Sequence, residues 1–136
     1  MTMQPVGAMP IDADMWWIVY LRSVLLGRSE SYARGVKVDR KVPNPRPDRL
    51  VVVRRDGGVV SGVFDRPRVA FDVWAKTEQD ATDLASLVTA LALLAPGTNG
   101  CVRVEHLSGP NAVVEASGTP RRLSLIEATH LAAVLT

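Results

Sequence analysis

A single cysteine, Cys101, and two isolated histidines, His106 and His130, leave this 136-residue chain without the residues that most site chemistries require. One thiol excludes an intrachain disulfide, and a zinc site needs three or four close ligands, so neither a metal nor a cofactor is expected. Cys101 lies in the alternating run Cys101-Val102-Arg103-Val104, where it reads as a small buried hydrophobe rather than a nucleophile. Acids are scattered singly, and no two are spaced as a general acid and its base. Asp56-Gly57-Gly58 lacks both the lysine and the following helix of a phosphate-binding loop. These absences point away from an enzyme.

Long apolar runs are missing too. Residues 15–21 are apolar, but Asp14 precedes them and Arg22 interrupts them. Even extended to Leu26, the run falls well short of the ~20 residues that span a bilayer, and no basic leader marks it as a signal peptide. The expectation is a soluble chain without membrane contact. With 47% hydrophobic and 22% charged residues, its composition is that of an ordinary globular protein, and its length fits one domain with its own core. Residues 1–11, with Pro5, Gly7 and Pro10, show no periodicity and read as a flexible N-terminal arm; residues 12–136 form the domain.

The net charge of +2 conceals an asymmetry. Residues 22–76 hold thirteen of the sixteen Lys and Arg against six acids, whereas the remainder carries three cations against eight acids. Such a distribution suits a nucleic-acid-binding module built on the basic 22–76 segment. It equally suits surfaces by which copies meet head to tail, or two solvated faces of opposite sign. Trp16, Trp17 and Trp74 are not interleaved with the basic run as stacking platforms would be.

Asp12 or Asp14 can cap a helix over 13–26, closed by Gly27. Trp16, Trp17, Ile18, Val19, Tyr20 and Leu21 are apolar around its whole circumference, so this helix needs cover on nearly all sides, from its own domain or from neighbouring copies. Residues 36–42 alternate as a half-buried strand, and 50–55 form a second, stopped by an Asp56-Gly57-Gly58 hairpin turn. Asp65-Arg66-Pro67 reads as another turn before the alternating strand 68–74. Thr77-Glu78-Gln79-Asp80 resembles a capping box, and Ala81, Leu84, Ala85, Val88, Leu91, Ala92 and Ala95 follow at helical spacing until Pro96-Gly97. Residues 101–107 form a further strand. Residues 122–134 read either as a capped helix or as a strand, with Leu123 and Leu125 sharing a face.

Between the first strands lies Lys41-Val42-Pro43-Asn44-Pro45-Arg46-Pro47-Asp48-Arg49, where alternate prolines fix φ and withhold backbone donors. The segment is expected to be stiff, extended and projecting, and so suited to docking onto another protein. An ordinary proline-stiffened loop would have the same residues.

Val42-Pro43-Asn44-Pro45-Arg46-Pro47-Asp48-Arg49, then Asp56-Gly57-Gly58, then Asp65-Arg66-Pro67-Arg68 leading to Trp74-Ala75, resembles the tail terminator family of long-tailed bacteriophages, especially phages of actinobacteria. The likeness continues through the helix after Thr77, through Ser108-Gly109-Pro110-Asn111, and to Ser117-Gly118-Thr119-Pro120-Arg121. The elements together predict an α/β (α+β) domain: a mainly antiparallel sheet of four or more strands, with an N-terminal helix and one long helix over about 77–95 packed on it. The resemblance implies that 122–131 is a closing strand. In function it implies a virion protein at the head–tail junction, assembled in the host cytoplasm. Such proteins form a hexameric ring that caps the tail tube, stops tube growth and joins the head-completion (neck) proteins, while DNA passes through the lumen without sequence-specific binding. A head-completion protein of the same virion is the neighbouring alternative. The contact residues to look for are Trp16, Trp17, Asn44, Arg46, Asp48, Arg49, Arg54, Arg55, Asp56, Arg66 and Arg68.

Overall fold

A computed structural model describes residues 7–135. The fold is α+β. Strands β2 (Lys37–Asp39), β3 (Leu50–Ser61), β4 (Phe64–Trp74), β5 (Cys101–Ala112) and β6 (Arg121–Leu131) form one sheet in the order β2-β3-β4-β6-β5. Every neighbouring pair is antiparallel except β2 with β3. Two helices, α1 (Ala13–Leu25) and α2 (Glu78–Leu93), contact the sheet. A small two-stranded ribbon pairs β1 (Gly7–Met9) with β7 (Ala133–Leu135).

Both helix starts follow from local chemistry. The Met15 N–H donates to Asp12 Oδ1 (3.1 Å) and the Asp80 N–H to Thr77 Oγ1 (3.1 Å), so each cap satisfies a donor that the first helical turn leaves orphaned. Along α2, Ala81, Leu84, Ala85, Val88, Leu91 and Ala92 are buried, as their spacing requires. Leu84, Ala85, Val88, Leu91 and Ala92 join Trp17, Ile18 and Leu21 of α1 against Val51, Val53, Val69, Phe71, Val73 and Ile126 of the sheet, forming one contiguous core. Two side-chain contacts fix the layers: Tyr20 donates its hydroxyl to the Leu91 carbonyl (2.6 Å), and Thr89 meets Ser124 of β6 (2.7 Å between hydroxyls). The cover on α1 is incomplete, because Met15 and Val19 remain 43% and 55% exposed.

Several sequence expectations are corrected. Asp56-Gly57-Gly58 is not a turn: β3 runs through it, and the register slips by one residue between Arg55 and Gly58. The slip is a bulge that sets Asp56 and Gly57 against Arg68, directly beside the Gly58–Pro67 pair, where Pro67 has no N–H to donate in a strand that lies inside the sheet. Gly58 is required there, since its φ is +98° and an added Cβ would lie 2.2 Å from the Arg66 carbonyl oxygen. Asp65-Arg66-Pro67 is accordingly the body of β4, and the hairpin turns at Gly62-Val63 instead. The strand expected over 36–42 shrinks to Lys37–Asp39, and the one expected over 101–107 lengthens into an irregular β5 that takes in 108–111. Of the arm expected over 1–11, residues 1–6 lie outside the described residues, while Gly7–Met9 is paired.

The C-terminal segment is a strand, as the family resemblance implied. Its buried positions are Ser124, Ile126, Ala128 and His130, while Leu123 and Leu125 stay half-buried on the opposite face.

Candidate protein-interaction surface

The helices cover one face of the sheet. On the other, register sets Leu50, Trp74 and Arg121 in one row, then Val52, Asp72 and Leu123, then Arg54, Ala70 and Leu125, and then Arg68 with Glu127. The first rows hold a small second cluster, Leu50, Val52 and Trp74, nearly removed from solvent. Charged side chains from two loops and from the start of β6 roof it. The guanidinium of Arg121 lies 4.8 Å from the centre of the Trp74 ring and that of Arg46 lies 6.0 Å away. Glu115 accepts from Trp74 Nε1 (3.2 Å) and from Arg121 Nη1 (3.0 Å), and Arg121 also binds the buried Asp72 carboxylate (2.8 Å).

The proline segment therefore does not project freely. It bends at Asn44-Pro45 and again at Asp48-Arg49. Arg46 donates to Thr119 Oγ1 (2.6 Å) and pairs with Glu115 at 3.8 Å, tying the segment to the loop before β6. Arg49 donates to the Arg34 carbonyl (2.9 Å) and reaches Asp80 at 3.8 Å. Asn44 and Asp48 face solvent, and Asp48 pairs with the equally exposed Lys76 (3.2 Å). A cleft of about 360 Å³ separates Arg46, Pro47 and Asp48 from the 117–120 turn.

The other expected contact residues divide sharply. Arg54, between Asp56 (3.5 Å) and Asp72 (3.6 Å), lies on the helix-free face together with Arg68; Arg66 and Arg68 are exposed and make no ion pair among the described residues. Arg55 is structural. It grips the fully buried Asp65 with two hydrogen bonds (2.8 and 2.7 Å), its own N–H donates to Asp14 (2.6 Å), and its Nε donates to the Gly57 carbonyl (3.0 Å). Burial would push the Asp65 carboxyl up, but the Arg55 guanidinium and the Ile11 N–H (2.9 Å) outweigh it and hold the group below its usual range.

Trp17 is also corrected as a contact residue, because it is wholly buried within the chain. Its Nε1–H donates to His130 Nε2 (3.1 Å), which makes the ring neutral with its proton on Nδ1, an atom without a partner among the described residues. Burial lowers the His130 pKa to about 4, against the pull of Asp65. Burial likewise raises the Cys101 thiol to about 11, so it stays protonated at neutral pH. Trp16 is half-buried, stacked on Tyr20 (5.5 Å between centroids), and lines an open groove of about 490 Å³ with Met15, Val19 and the 98–99 loop.

Sequence reasoning missed the residues that hold the proline segment: Trp74, Glu115, Thr119 and Arg121. Arg46 and Thr119 are 73 positions apart, and nothing in local spacing couples them. Three ion pairs, Arg40–Asp12, Arg46–Glu115 and Arg49–Asp80, join the basic segment to acids outside it within one copy. No protein-family model matches the chain, and no curated protein does either.

Proposed function

We propose that this chain is a tail terminator: copies form a hexameric ring on the head-proximal end of a phage tail tube, end its growth and present a surface to the head-completion proteins. One observation carries the reading. The proline segment is held in a single geometry by Arg46 and Arg49, yet turns Asn44 and Asp48 to solvent beside a sheet face that no helix of the described residues covers. A segment already ordered loses little entropy on docking, and so favours a contact role over a reactive one. The ordered likeness to tail terminators, over roughly residues 13–131, supports the same assignment.

In this reading the half-buried Leu123 and Leu125, with Arg54 and Arg68, supply the remaining contact with a neighbouring copy or the tube protein. Ring contacts are heterologous, because a cap on a tube follows the tube's rotational axis. DNA crosses the lumen without being read, and no substrate is turned over. Electron microscopy of particles labelled on this chain is expected to put the label between head and tail; label at the baseplate, or on no part of the particle, overturns the proposal. Loss of the chain is expected to yield tails of abnormal length. Tails of normal length left unjoined to heads would point instead to a head-completion protein.

A further inference from the structure

A groove of about 870 Å³ opens between the C-terminal end of α1, the short 3-10 turn at Ser31–Ala33, and β2. Its lining is largely apolar: Leu25, Val36, Val38, Pro43 and Pro47 contribute, and Leu26 stands 85% exposed at the same place. A leucine so exposed, directly after a helix end, is available to a partner and is left uncovered by the described residues.

The charge of the groove has one sign. Ten of the sixteen cations of the chain have an ion-pair partner; the six without one among the described residues are Arg22, Arg34, Lys37, Lys41, Arg66 and Arg68. Three of those six, Arg22, Arg34 and Lys37, line this groove. A fourth cation in it, Arg28, is neutralised by Glu30. Asp39 is the one acid in the lining, and its Oδ1 already accepts the Arg40 N–H (2.7 Å). Uncompensated cations around a low-dielectric floor repel one another until an anion arrives.

Arg22 is also fixed in place. Its Nε and Nη2 donate to the Val38 carbonyl (3.1 and 2.8 Å), so the cation is oriented before any partner binds. The same bonds occupy a carbonyl of edge strand β2 that an incoming strand would otherwise use, so docking here rests on side chains rather than on strand addition.

We propose that this groove docks an acidic, partly apolar segment of a partner polypeptide. Its carboxylates pair with Arg22, Arg34 and Lys37, and its apolar side chains cover Leu26 and the proline floor. A nucleic acid fits less well. Its phosphates would match the cations, but its bases would find no aromatic platform, since no aromatic side chain among the described residues lines the groove and Tyr32 of the bordering turn packs against the core. The inference does not rest on the tail-terminator reading and stands or falls separately from it.

The test is a titration of the ¹⁵N-labelled full chain at physiological ionic strength with a short peptide alternating glutamate and leucine. An oligothymidylate of equal net charge serves as the competing probe. Saturable amide shifts confined to residues 22–39 and 43–47 are expected, with binding at least ~10-fold weaker in the R34E/K37E variant and an intermediate loss in R34Q/K37Q. Arg34 and Lys37 are exposed, so both variants are expected to keep the parent's circular dichroism and thermal midpoint. Absent shifts, shifts centred elsewhere, unchanged binding by R34E/K37E, or oligothymidylate binding as tightly as the peptide would each overturn the proposal.

Discussion

On the helix-covered face of the sheet, Val53, Phe71, Val69 and Ile126 are sealed by the apolar flanks of α1 and α2, whereas on the opposite face Leu50, Val52 and Trp74 are roofed by charged side chains from two loops and the start of β6. The first closure is driven by removing apolar area from water, which salt barely affects and which is lost only by unfolding. The second depends on part-exposed guanidinium–carboxylate pairs and on cations over an indole ring, each contributing little alone and the ion pairs screened as salt rises. One face therefore supplies the stability of the domain, and the other can rearrange without dissolving it. A contact surface belongs on the second kind of face.

Deleting the Leu84 side chain should break the comparison's stronger half. Leu84 is fully buried between α2 and the sheet, and Leu84→Ala is expected to lower unfolding free energy by about 2–5 kcal/mol in denaturant titrations. A change near zero would mean that α2 is not the principal cover.

Acidification probes the polar end of the same face. His130 is held neutral, with its pKa at about 4 instead of 6.5, so the unfolded chain takes up its proton first. Stability from this group is complete above pH 6.5 and is lost as pH falls towards 4, by an amount on the order of 3 kcal/mol. Asp65, also lowered in the fold, adds a further loss at more acidic pH, beginning in the ordinary carboxylate range. Protonating His130 places a hydrogen on Nε2 and removes the acceptor of Trp17 Nε1–H. In His130→Gln, thermal unfolding followed across pH 7 to 4 is expected to lose most of this slope. A wild-type slope in that variant would assign the pH dependence to other groups.

Opening the roof should have the smallest effect. Arg46→Ala removes the bond to Thr119 and one cation from Trp74, and is expected to reduce stability by only about 1 kcal/mol. Amide exchange over residues 43–49 and 113–120 should nevertheless quicken, and raising the salt concentration on the wild-type chain should move exchange there in the same direction. If those segments stay as protected as β4, the two faces are not closed by different means after all.

Where a feature depends on neighbours in sequence, it was legible. The Thr77 cap and the spacing from Ala81 to Ala92 predict α2, because a cap and a helical stripe are satisfied within a few residues. The same holds for the start of α1 at Asp12. Local propensity misled where a partner strand intervened. Asp56-Gly57-Gly58 has the chemistry of a turn, yet β4 keeps it in the sheet as a bulge beside Pro67, a residue without an N–H that is accommodated inside a sheet at such an irregularity. Residues 121–131, whose local pattern also permits a helix, are held extended by β4 on one side and β5 on the other, which together satisfy a whole strand's backbone groups.

The same division applies to the contact surface. Composition alone determined that the chain carries a cation-rich middle and an acid-rich remainder, and that its prolines stiffen residues 43–47. Only the tertiary structure decided that Arg46 lies over Trp74, that Arg55 is bound to Asp65 and unavailable to a partner, and that Arg22, Arg34 and Lys37 remain unmatched around one groove. Charge belongs to the residue and can be read one letter at a time. Whether that charge is neutralised depends on which distant side chains the packed sheet brings within a few ångströms, and so is decided only when the chain folds.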